Sequence, residues 1–443
     1  MHHCRDFILS NNNMRVRIDH PNRRDVLMTF AAGAGVTLLP RQAGANDSST
    51  HSDGRQPQAG IVVPIGGALR FDHDAVWSRL VALSGGRGSK WVVFGLASTH
   101  PEAAAAQAAS VLARHGANAA ALLQGTQQSV TEWVTDPAAI GRLHGARGVF
   151  FCGGAQERIV DALQPEGVAT PLLDSIREVQ RRGGVIAGTS AGAAVMSTTM
   201  FRDAQDPFAV LQGQLRERRE IDHGLGFAGP ELFVDQHFLK RGRIGRMLPM
   251  MVARGYKLGL GVDENTAAII EGNAVEVIGA KGALLVDLSG ASSECQHGAF
   301  CLRGAKLSYL DRGDRFDLST RRLAPSEQKR SDHPINPHAP GFEPYNAHAR
   351  FWPDMLGDTA IVNAMSELID SGDQESFGLA ADLAAHPQAP HPELGFEFRL
   401  YKGEDSLGWF TGKFGGEDYS VANLYLDVTP VRLSRPFYAP WKG

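Results

Sequence analysis

A serine set among very small residues is the first feature of the sequence that could do chemistry. Ser190 lies in the segment GTSAG, residues 188–192, which fits the G-x-S-x-G pattern of a nucleophile elbow. In such an elbow the serine occupies a strained turn between a strand and a helix, and only small neighbours leave room for the backbone. The apolar run GVIA precedes the segment, and AAVMSTTM, which can begin a helix, follows it. Ser190 is therefore predicted to be a nucleophile; the alternative is a packing turn with an incidental serine.

A nucleophilic serine needs a base, and the base usually needs an orienting acid. His237 ends the apolar segment ELFVDQHF, so we expect it near a strand end, where the elbow also lies. Glu264, in LGLGVDENTAAII, follows another apolar run and is the predicted acid, with Asp235 and Asp263 as open alternatives. The chain order serine, histidine, acid differs from the serine, acid, histidine order of α/β-hydrolases and argues against a lipase-like enzyme.

A basic cluster follows the predicted base directly. Lys240, Arg241, Arg243 and Arg246 lie in the segment HFLKRGRIGRM. Guanidinium groups bind carboxylates through paired hydrogen bonds, so this cluster suits a substrate that carries carboxylates. The alternative is a solvated basic face of a helix.

A second glycine-rich turn occurs in VFFCGGAQERIVDAL. Gly153 and Gly154 would let the backbone approach a ligand. The N–H of Gly154 and the N–H of Ala191, at the start of the helix after the elbow, are the predicted oxyanion donors. Gln156 is predicted to hydrogen-bond substrate. An ordinary turn between a strand and a helix is the alternative.

The elements that must position these residues follow an α/β pattern. Short apolar runs, among them GIVVPIGG, KWVVFGLAST, GVFFCGG and GGVIAGTSAG, alternate with longer amphipathic stretches. Continuous apolar runs that end in glycine or small polar residues predict a parallel sheet with helices on both faces. We expect a three-layer, doubly wound, mostly parallel sheet over residues 59–322. In such sheets ligands bind at the carboxyl ends of the strands, where the glycine-rich turns lie here.

The pattern changes after about Gly290. A proline- and histidine-rich stretch is followed by a predicted helix around residues 359–368 and by alternating segments such as GFEFRLYKG and YSVANLYLDVTPVRL. Residues 323–443 are therefore predicted to form a C-terminal, β-rich extension with one helix.

The bulk composition limits the classes of partner and cofactor. The 443 residues include 44 basic and 48 acidic side chains, and their formal net charge of −4 gives no bias toward nucleic acid or anionic membranes. Neither a Cys-x-x-Cys nor a His-Glu-x-x-His spacing occurs, so we predict no metal site and no cofactor. Cys295 and Cys301 could form a disulfide in an oxidising compartment.

The N-terminal segment predicts export. Arg23 and Arg24 precede an apolar run from Val26 to Leu39 and a small-residue segment ending at Ala45, an order typical of a twin-arginine signal peptide. The apolar run is too short for a membrane anchor, which is the alternative. We expect residues 1–45 to be the signal, residues 46–58 a polar linker, and the mature protein to be periplasmic or extracellular. Met14 is an alternative start to Met1.

Four motifs in this order resemble those of the cyanophycinase family: GGAQ, GTSAGAAVMS, DQHFLKRGRIGR and GVDENTA. These serine peptidases have a fold similar to class I glutamine amidotransferases and are close to the aspartyl dipeptidase (dipeptidase E) group. The resemblance covers roughly residues 59–320. It implies Ser190 as nucleophile, His237 as base and Glu264 as orienting acid. It further implies substrate contacts from Gln156, Asp235, Gln236, Arg241, Arg243 and Arg246.

The resemblance also implies a substrate. Cyanophycin has a poly-aspartate backbone with an arginine linked to each side-chain carboxyl, and its cleavage yields β-aspartyl-arginine dipeptides. An exported cyanophycinase, with a homodimer expected from the family alone, is therefore the leading hypothesis. One alternative is a peptidase for short aspartyl or isoaspartyl peptides, and another is an exported polymer-binding protein without turnover.

Overall fold

The structure is a computed structural model. It describes residues 60–434, except 204, 295–298, 331–333, 385, 387, 389 and 417, together with residues 436, 437, 440 and 441. The predicted signal, the linker and Cys295, half of the predicted disulfide, lie outside the described residues. No helix in the described part is long and apolar enough to cross a membrane.

Eighteen strands and eleven α-helices make up the described part of the chain. The strands are β1 Ile61–Ile65, β2 Lys90–Phe94, β3 Asn118–Ala121, β4 Gly148–Phe151, β5 Val185–Thr189, β6 Thr199–Phe201, β7 Ile221–His223, β8 Leu232–Asp235, β9 Leu258–Val262, β10 Thr266–Glu271, β11 Ala274–Gly279, β12 Ala283–Asp287, β13 Leu302–Leu310, β14 Arg315–Asp317, β15 Arg322–Ala324, β16 Glu375–Ala381, β17 Leu394–Thr411 and β18 Asp418–Arg432. The helices are α1 Asp74–Leu83, α2 Pro101–Arg114, α3 Val130–Thr135, α4 Pro137–Arg142, α5 Gln156–Leu163, α6 Pro171–Arg181, α7 Ala191–Ala194, α8 Pro207–Leu211, α9 Ile244–Arg254, α10 Glu327–Arg330 and α11 Ala360–Ile369.

The first sheet has nine strands in the order β15-β14-β11-β10-β1-β5-β4-β2-β3. Strands β1, β5, β4, β2 and β3 are parallel, and antiparallel strands continue from β10 outward. Val63 packs with Trp77 of α1 and Leu112 of α2, whereas the adjacent Val62 packs in the core that contains Ile176 of α6. Because neighbouring strand residues point to opposite faces, helices cover both faces of this sheet. The predicted α/β fold class is confirmed.

The second sheet has seven strands in the order β16-β17-β18-β13-β12-β9-β8. Only β8 and β9 are parallel; every other pairing within the sheet is antiparallel. Val234 and Leu285 pack in the same core as Val62, whereas Phe233 and Leu284 pack in a second core with α9 and α11. The regions predicted as 59–322 and 323–443 therefore share a sheet, since β13 pairs with β18.

A buried lysine joins the last part of the chain to this sheet. Lys329 in α10 is fully buried and donates hydrogen bonds to Asp311 (2.6 Å) and to Ser420 Oγ (2.7 Å). Asp311 directly follows β13, and Ser420 lies in β18. One buried ion pair thus connects α10 to both strands at the seam of the sheet.

Candidate active site

Ser190 lies in the turn that joins β5 to α7. Its φ of 54° is in the left-handed region, and its N–H donates to the carbonyl of Ile65 at 3.0 Å. A Cβ on Gly188 would lie 2.5 Å from the carbonyl oxygen of Gly192, and a Cβ on Gly192 would overlap the backbone of Phe151. The elbow therefore folds only because both glycines lack a side chain.

Ser190, His237 and Glu264 are connected by two hydrogen bonds. Ser190 Oγ is 2.9 Å from His237 Nε2, and His237 Nδ1 is 2.6 Å from Glu264 Oε1. Because a carboxylate accepts hydrogen bonds, Nδ1 carries the proton and Nε2 is free to accept the serine hydroxyl. The side chains that sequence reasoning selected are thus brought together in the order that nucleophilic catalysis requires.

The two alternative acids lie elsewhere. Asp263, which is fully buried, is 2.7 Å from Lys281 Nζ and accepts the backbone N–H of Lys240. Asp235 is engaged by Arg246 through two hydrogen bonds. Of the three acids that the sequence left open, Glu264 is the one that contacts the imidazole.

A glycine loop after β1 holds the imidazole from the other side. The N–H of His237 donates to the carbonyl of Gly66 at 2.6 Å, and a Cβ on Gly67 would overlap the imidazole ring. The next loop is fixed as well, since Asn265 N–H donates to the Gly67 carbonyl and Asn265 Oδ1 accepts the N–H of Arg70. Sequence analysis did not assign Gly66, Gly67 or Asn265; the signal available was the pair of glycines that ends the first apolar run.

The surroundings favour the neutral form of the imidazole. Burial lowers the pKa of His237 below its ordinary value, and the positive charges of Arg241 and Arg243 lower it further, whereas the hydrogen bond with Glu264 acts in the opposite direction. A neutral imidazole is the form that can accept a proton from a hydroxyl, so the site is suited to general-base catalysis.

The predicted oxyanion donors lie beside the serine. A Cβ on Gly153 would lie 3.2 Å from Ser190 Cβ, and Gly154, with a φ of 142°, packs against the carbonyl of Ala97. Ala191 is the first residue of α7. Within the described part of the chain, neither the Gly154 nor the Ala191 N–H has an acceptor in the protein, so both remain available to a ligand.

The predicted substrate-binding residues fall into a buried group and an exposed one. Arg246 is fully buried, donates to Asp235 at 2.8 and 2.6 Å, and lies 4.3 Å over the ring of Phe201. Burial alone would raise the pKa of Asp235, but the charge and hydrogen bonds of Arg246 outweigh it, so the pKa lies below its ordinary value. This pair lies in the interior, and its predicted contact with substrate stays a prediction.

Three further predicted contacts extend the buried group. Arg243 is 2% exposed and donates to the backbone carbonyl of Gln236 at 2.6 Å. Gln236 is also 2% exposed, and its Oε1 has no hydrogen-bond partner among the described residues. Gln156 donates its amide to the carbonyl of Phe201 at 2.9 Å, which links the GGAQ turn to the Arg246 pair.

Arg241 and Lys240 are exposed. Lys240 Nζ is 2.6 Å from Asp358, in the C-terminal part of the chain, whereas the guanidinium of Arg241 has no carboxylate within 4.0 Å among the described residues. The described residues also contain no group of three or more His, Cys, Asp or Glu side chains placed to hold a metal ion.

Comparison with known proteins places this site in a family of hydrolases. The model of peptidase family S51 matches residues 72–278. A cyanophycinase from Trichormus variabilis is 35% identical over 193 residues, which cover 42% of this chain and 61% of that protein. A cyanophycinase from Geminocystis herdmanii is 30% identical over 275 residues, 58% of this chain and 94% of the relative. The match thus spans less than two thirds of the first relative and nearly all of the second.

Two solved structures are also similar to the chain. A peptidase from an acI-B1 Actinobacterium aligns with a TM-score of 0.44 at 19% identity, covering 59% of this chain and 98% of its own. A putative peptidase E protein from Listeria monocytogenes aligns with a TM-score of 0.34 at 15% identity, and the alignment covers 50% of this chain and 99% of that protein.

Proposed function

The chain belongs to peptidase family S51, and we propose that it is an exported serine hydrolase that cleaves cyanophycin into β-aspartyl-arginine dipeptides. The observation that supports serine chemistry most directly is the hydrogen-bonded set of Ser190, His237 and Glu264. The relatives named cyanophycinase support the substrate.

The proposed reaction is acyl transfer in two steps. Ser190 Oγ attacks a carbonyl carbon of the aspartate backbone while its proton passes to His237 Nε2. The resulting oxyanion accepts hydrogen bonds from the N–H groups of Gly154 and Ala191. The imidazolium then gives the proton to the leaving amine. Water attacks the ester with His237 again as base, which releases the carboxylic acid and restores the serine hydroxyl. Glu264 keeps the proton on Nδ1 throughout.

The positive charges around the site support a substrate that carries carboxylates. Each repeat of cyanophycin carries a guanidinium and a free carboxylate from its arginine. Arg241 and Arg243 place positive charge close enough to His237 to lower the pKa of its imidazole. Carboxylates of the substrate would neutralise that excess.

Export completes the proposal. Its support is the twin-arginine pattern and the apolar run that follows it in the sequence. An exported enzyme would degrade polymer released by other cells instead of the cell's own store.

The experiment that tests the proposal uses insoluble cyanophycin. The purified protein and its Ser190→Ala variant are incubated with the polymer, and the soluble products are identified by mass spectrometry. Release of β-aspartyl-arginine by the parent alone supports substrate, bond and nucleophile together. Cleavage of short aspartyl or isoaspartyl peptides without polymer release would favour the dipeptidase alternative, and binding without any turnover would favour the non-catalytic one.

A further inference from the structure

The three side chains of the catalytic group come from elements of different sheets. Ser190 follows β5 of the first sheet, whereas His237 follows β8 of the second sheet. Glu264 lies in the turn that leads from β9 of the second sheet to β10 of the first. Catalysis requires such groups to be held within about 0.5 Å of their productive arrangement. Some part of the chain must therefore hold these elements in register.

Two consecutive carbonyl groups at the end of β1 hold the backbones of the nucleophile and the base. The carbonyl of Ile65 accepts the N–H of Ser190 at 3.0 Å. The next carbonyl, that of Gly66, accepts the N–H of His237 at 2.6 Å. Both acceptors are buried, and β1 is itself fixed between β5 and β10 of the first sheet. The end of β1 thus connects an element of each sheet to the same rigid strand.

The third carbonyl, that of Gly67, contacts the turn that carries the acid. It accepts the N–H of Asn265 at 2.8 Å, and Asn265 directly follows Glu264 in the chain. The carbonyls of residues 65–67 therefore hold, in chain order, the backbone at the nucleophile, at the base and next to the acid. A shift of this short segment would move all three side chains relative to one another.

The loop that continues from this segment has unfavourable backbone angles. Gly67 has a φ of 101°, and Ala68, which carries a Cβ, has a φ of 47°. Residues other than glycine rarely adopt a positive φ, and such conformations persist only where the surrounding contacts hold them. The side chain of Asn265 supplies such a contact, because its Oδ1 accepts the N–H of Arg70 at 3.0 Å. Asn265 thus holds the loop on both sides of Ala68.

The backbone of Asn265 is suited to this task. Its φ of 55° lies in the left-handed region, which asparagine tolerates better than most residues do. Its carbonyl accepts the N–H of Ala280 at 3.0 Å, and a Cβ on Gly279 would lie 2.6 Å from that carbonyl oxygen. The residue is therefore fixed by the end of β11, and its side-chain oxygen is presented to the loop.

We propose that Asn265 is a positioning residue, which holds the loop after β1 so that residues 65–67 set the distance between the nucleophile and the base. The inference rests on the proposed function and adds to it a second role for the motif GVDENTA. The carboxylate of Glu264 orients the imidazole from one side. The amide of Asn265 holds in place the backbone of Gly67, against which the imidazole lies on the other side.

The test removes or keeps the side-chain acceptor while the left-handed backbone is retained. Asn265→Gly tolerates the positive φ but has no Oδ1, whereas Asn265→Asp tolerates it and keeps an acceptor for the N–H of Arg70. With an uncharged activated ester, Asn265→Gly should lower kcat by about tenfold or more and change KM far less, since the reacting groups are misplaced. Asn265→Asp should keep most of the activity of the parent on the alkaline plateau, where its added charge does not affect the protonation of His237.

Asn423→Gly is the matched control. Asn423 in β18 has a φ of 57°, is half-buried like Asn265, and also makes a side-chain hydrogen bond, to the carbonyl of Asp405. Its N–H donates to Ser308, so neither bond involves the loop after β1. Both glycine variants add the same backbone freedom to the unfolded chain, but only Asn265→Gly should lower kcat. Denaturant unfolding of each variant measures the folded fraction in parallel.

A second readout follows the nucleophile without a bound substrate. The rate at which a fluorophosphonate modifies Ser190 depends on the contact between Ser190 Oγ and His237 Nε2, because the base activates the hydroxyl. This rate should fall in Asn265→Gly by about the same factor as kcat. It should stay close to that of the parent in Asn265→Asp and in Asn423→Gly.

Different results would overturn the inference and the proposed function. If the parent hydrolyses the ester and the folded Asn265→Gly keeps its kcat, or Asn265→Asp loses as much as Asn265→Gly, the positioning role is wrong while the proposed function stands. If Asn265→Gly fails to fold and Asn423→Gly folds, the residue serves the fold and not the reaction, and the inference is again wrong. If the parent cleaves neither ester nor polymer and Ser190 is not modified, the proposed function fails and the inference fails with it.

Discussion

The imidazole of His237 lies directly against the backbone of Gly67, so closely that a Cβ at position 67 would overlap Cε1 and Nε2 of the ring. Gly67→Ala should therefore push the imidazole away from Ser190 Oγ. We expect kcat/KM to fall by about 10²-fold, the order of loss that a misplacement of about 1 Å causes. Steady-state kinetics with an uncharged activated ester would measure it.

Gly85→Ala is the control for backbone strain. Gly85 has a φ of 103°, close to the 101° of Gly67, but its Cβ would meet no atom within 4 Å. Both variants should lose some stability through backbone strain, and only Gly67→Ala should lose activity. Equal activity of the two variants would contradict the steric role of Gly67.

Glu264→Gln should lower kcat while leaving the fold intact. The neutral amide of glutamine replaces the charged acceptor of the His237 Nδ1–H. The tautomer with the proton on Nδ1 and the imidazolium are therefore both less favoured, and we expect kcat to fall by about 10²-fold or more. Glu264 is 24% exposed, so the melting temperature should change little. Asp263→Asn should affect kcat far less, and the reverse order of the two variants would show that the wrong acid was chosen.

The pH dependence should report the charges around His237. The imidazole must be neutral to act as base, and because its pKa is lowered, the acidic limb of kcat/KM should lie below the ordinary value of 6.5. Arg241→Gln removes a positive charge, so protonation becomes easier, the pKa rises and the limb moves to higher pH. Lys240→Gln, whose ammonium is paired with Asp358, should move it less. An unchanged limb in Arg241→Gln would contradict this account.

Arg246→Ala should lower the stability of the protein and should have no separate effect on substrate binding. Removing the guanidinium leaves the carboxylate of Asp235 buried without its partner, which costs about 3 kcal/mol or more in the free energy of unfolding. Because Asp235 is two residues from His237, losses with the polymer and with an uncharged ester should be similar.

Arg350→Ala provides the comparison, since Arg350 is exposed and bonded to Glu367, and its loss should cost less than about 1 kcal/mol. Denaturant unfolding and parallel assays on both substrates would separate these effects. A selective loss of polymer cleavage in Arg246→Ala would instead support the direct contact between Arg246 and substrate that the sequence predicts.

Residue types and spacing predict most of the catalytic group, because an elbow serine and a histidine at a strand end can be recognised locally. The choice of Glu264 over Asp263 could not be made from residue types, since both lie in the turn between β9 and β10, and the backbone of that turn decides which carboxylate faces His237. The burial of Arg246 depends on its pairing with Asp235, and a run of basic residues does not reveal which of its members lie inside.

The contact between the turn after His237 and the C-terminal part of the chain could not be predicted from the sequence, for another reason. Lys240 and Asp358 are 118 residues apart, and neither lies in a motif that indicates the other. Alternation predicts that the last strands are antiparallel, but it does not predict that β18 joins β13, because any strand with a free edge and an apolar face could accept it.

The pairing of β18 with β13 also bears on how the protein is made. During synthesis, Ser190, His237 and Glu264 emerge from the ribosome well before residues 418–432, which form the fifteen-residue strand β18. Until that strand arrives, the nascent chain carries all three reactive side chains, but β13 presents an unpaired edge that chaperones and cellular proteases can recognise. The last strand is thus needed to close this edge, so a chain that ends before residue 418 would leave β13 without its partner.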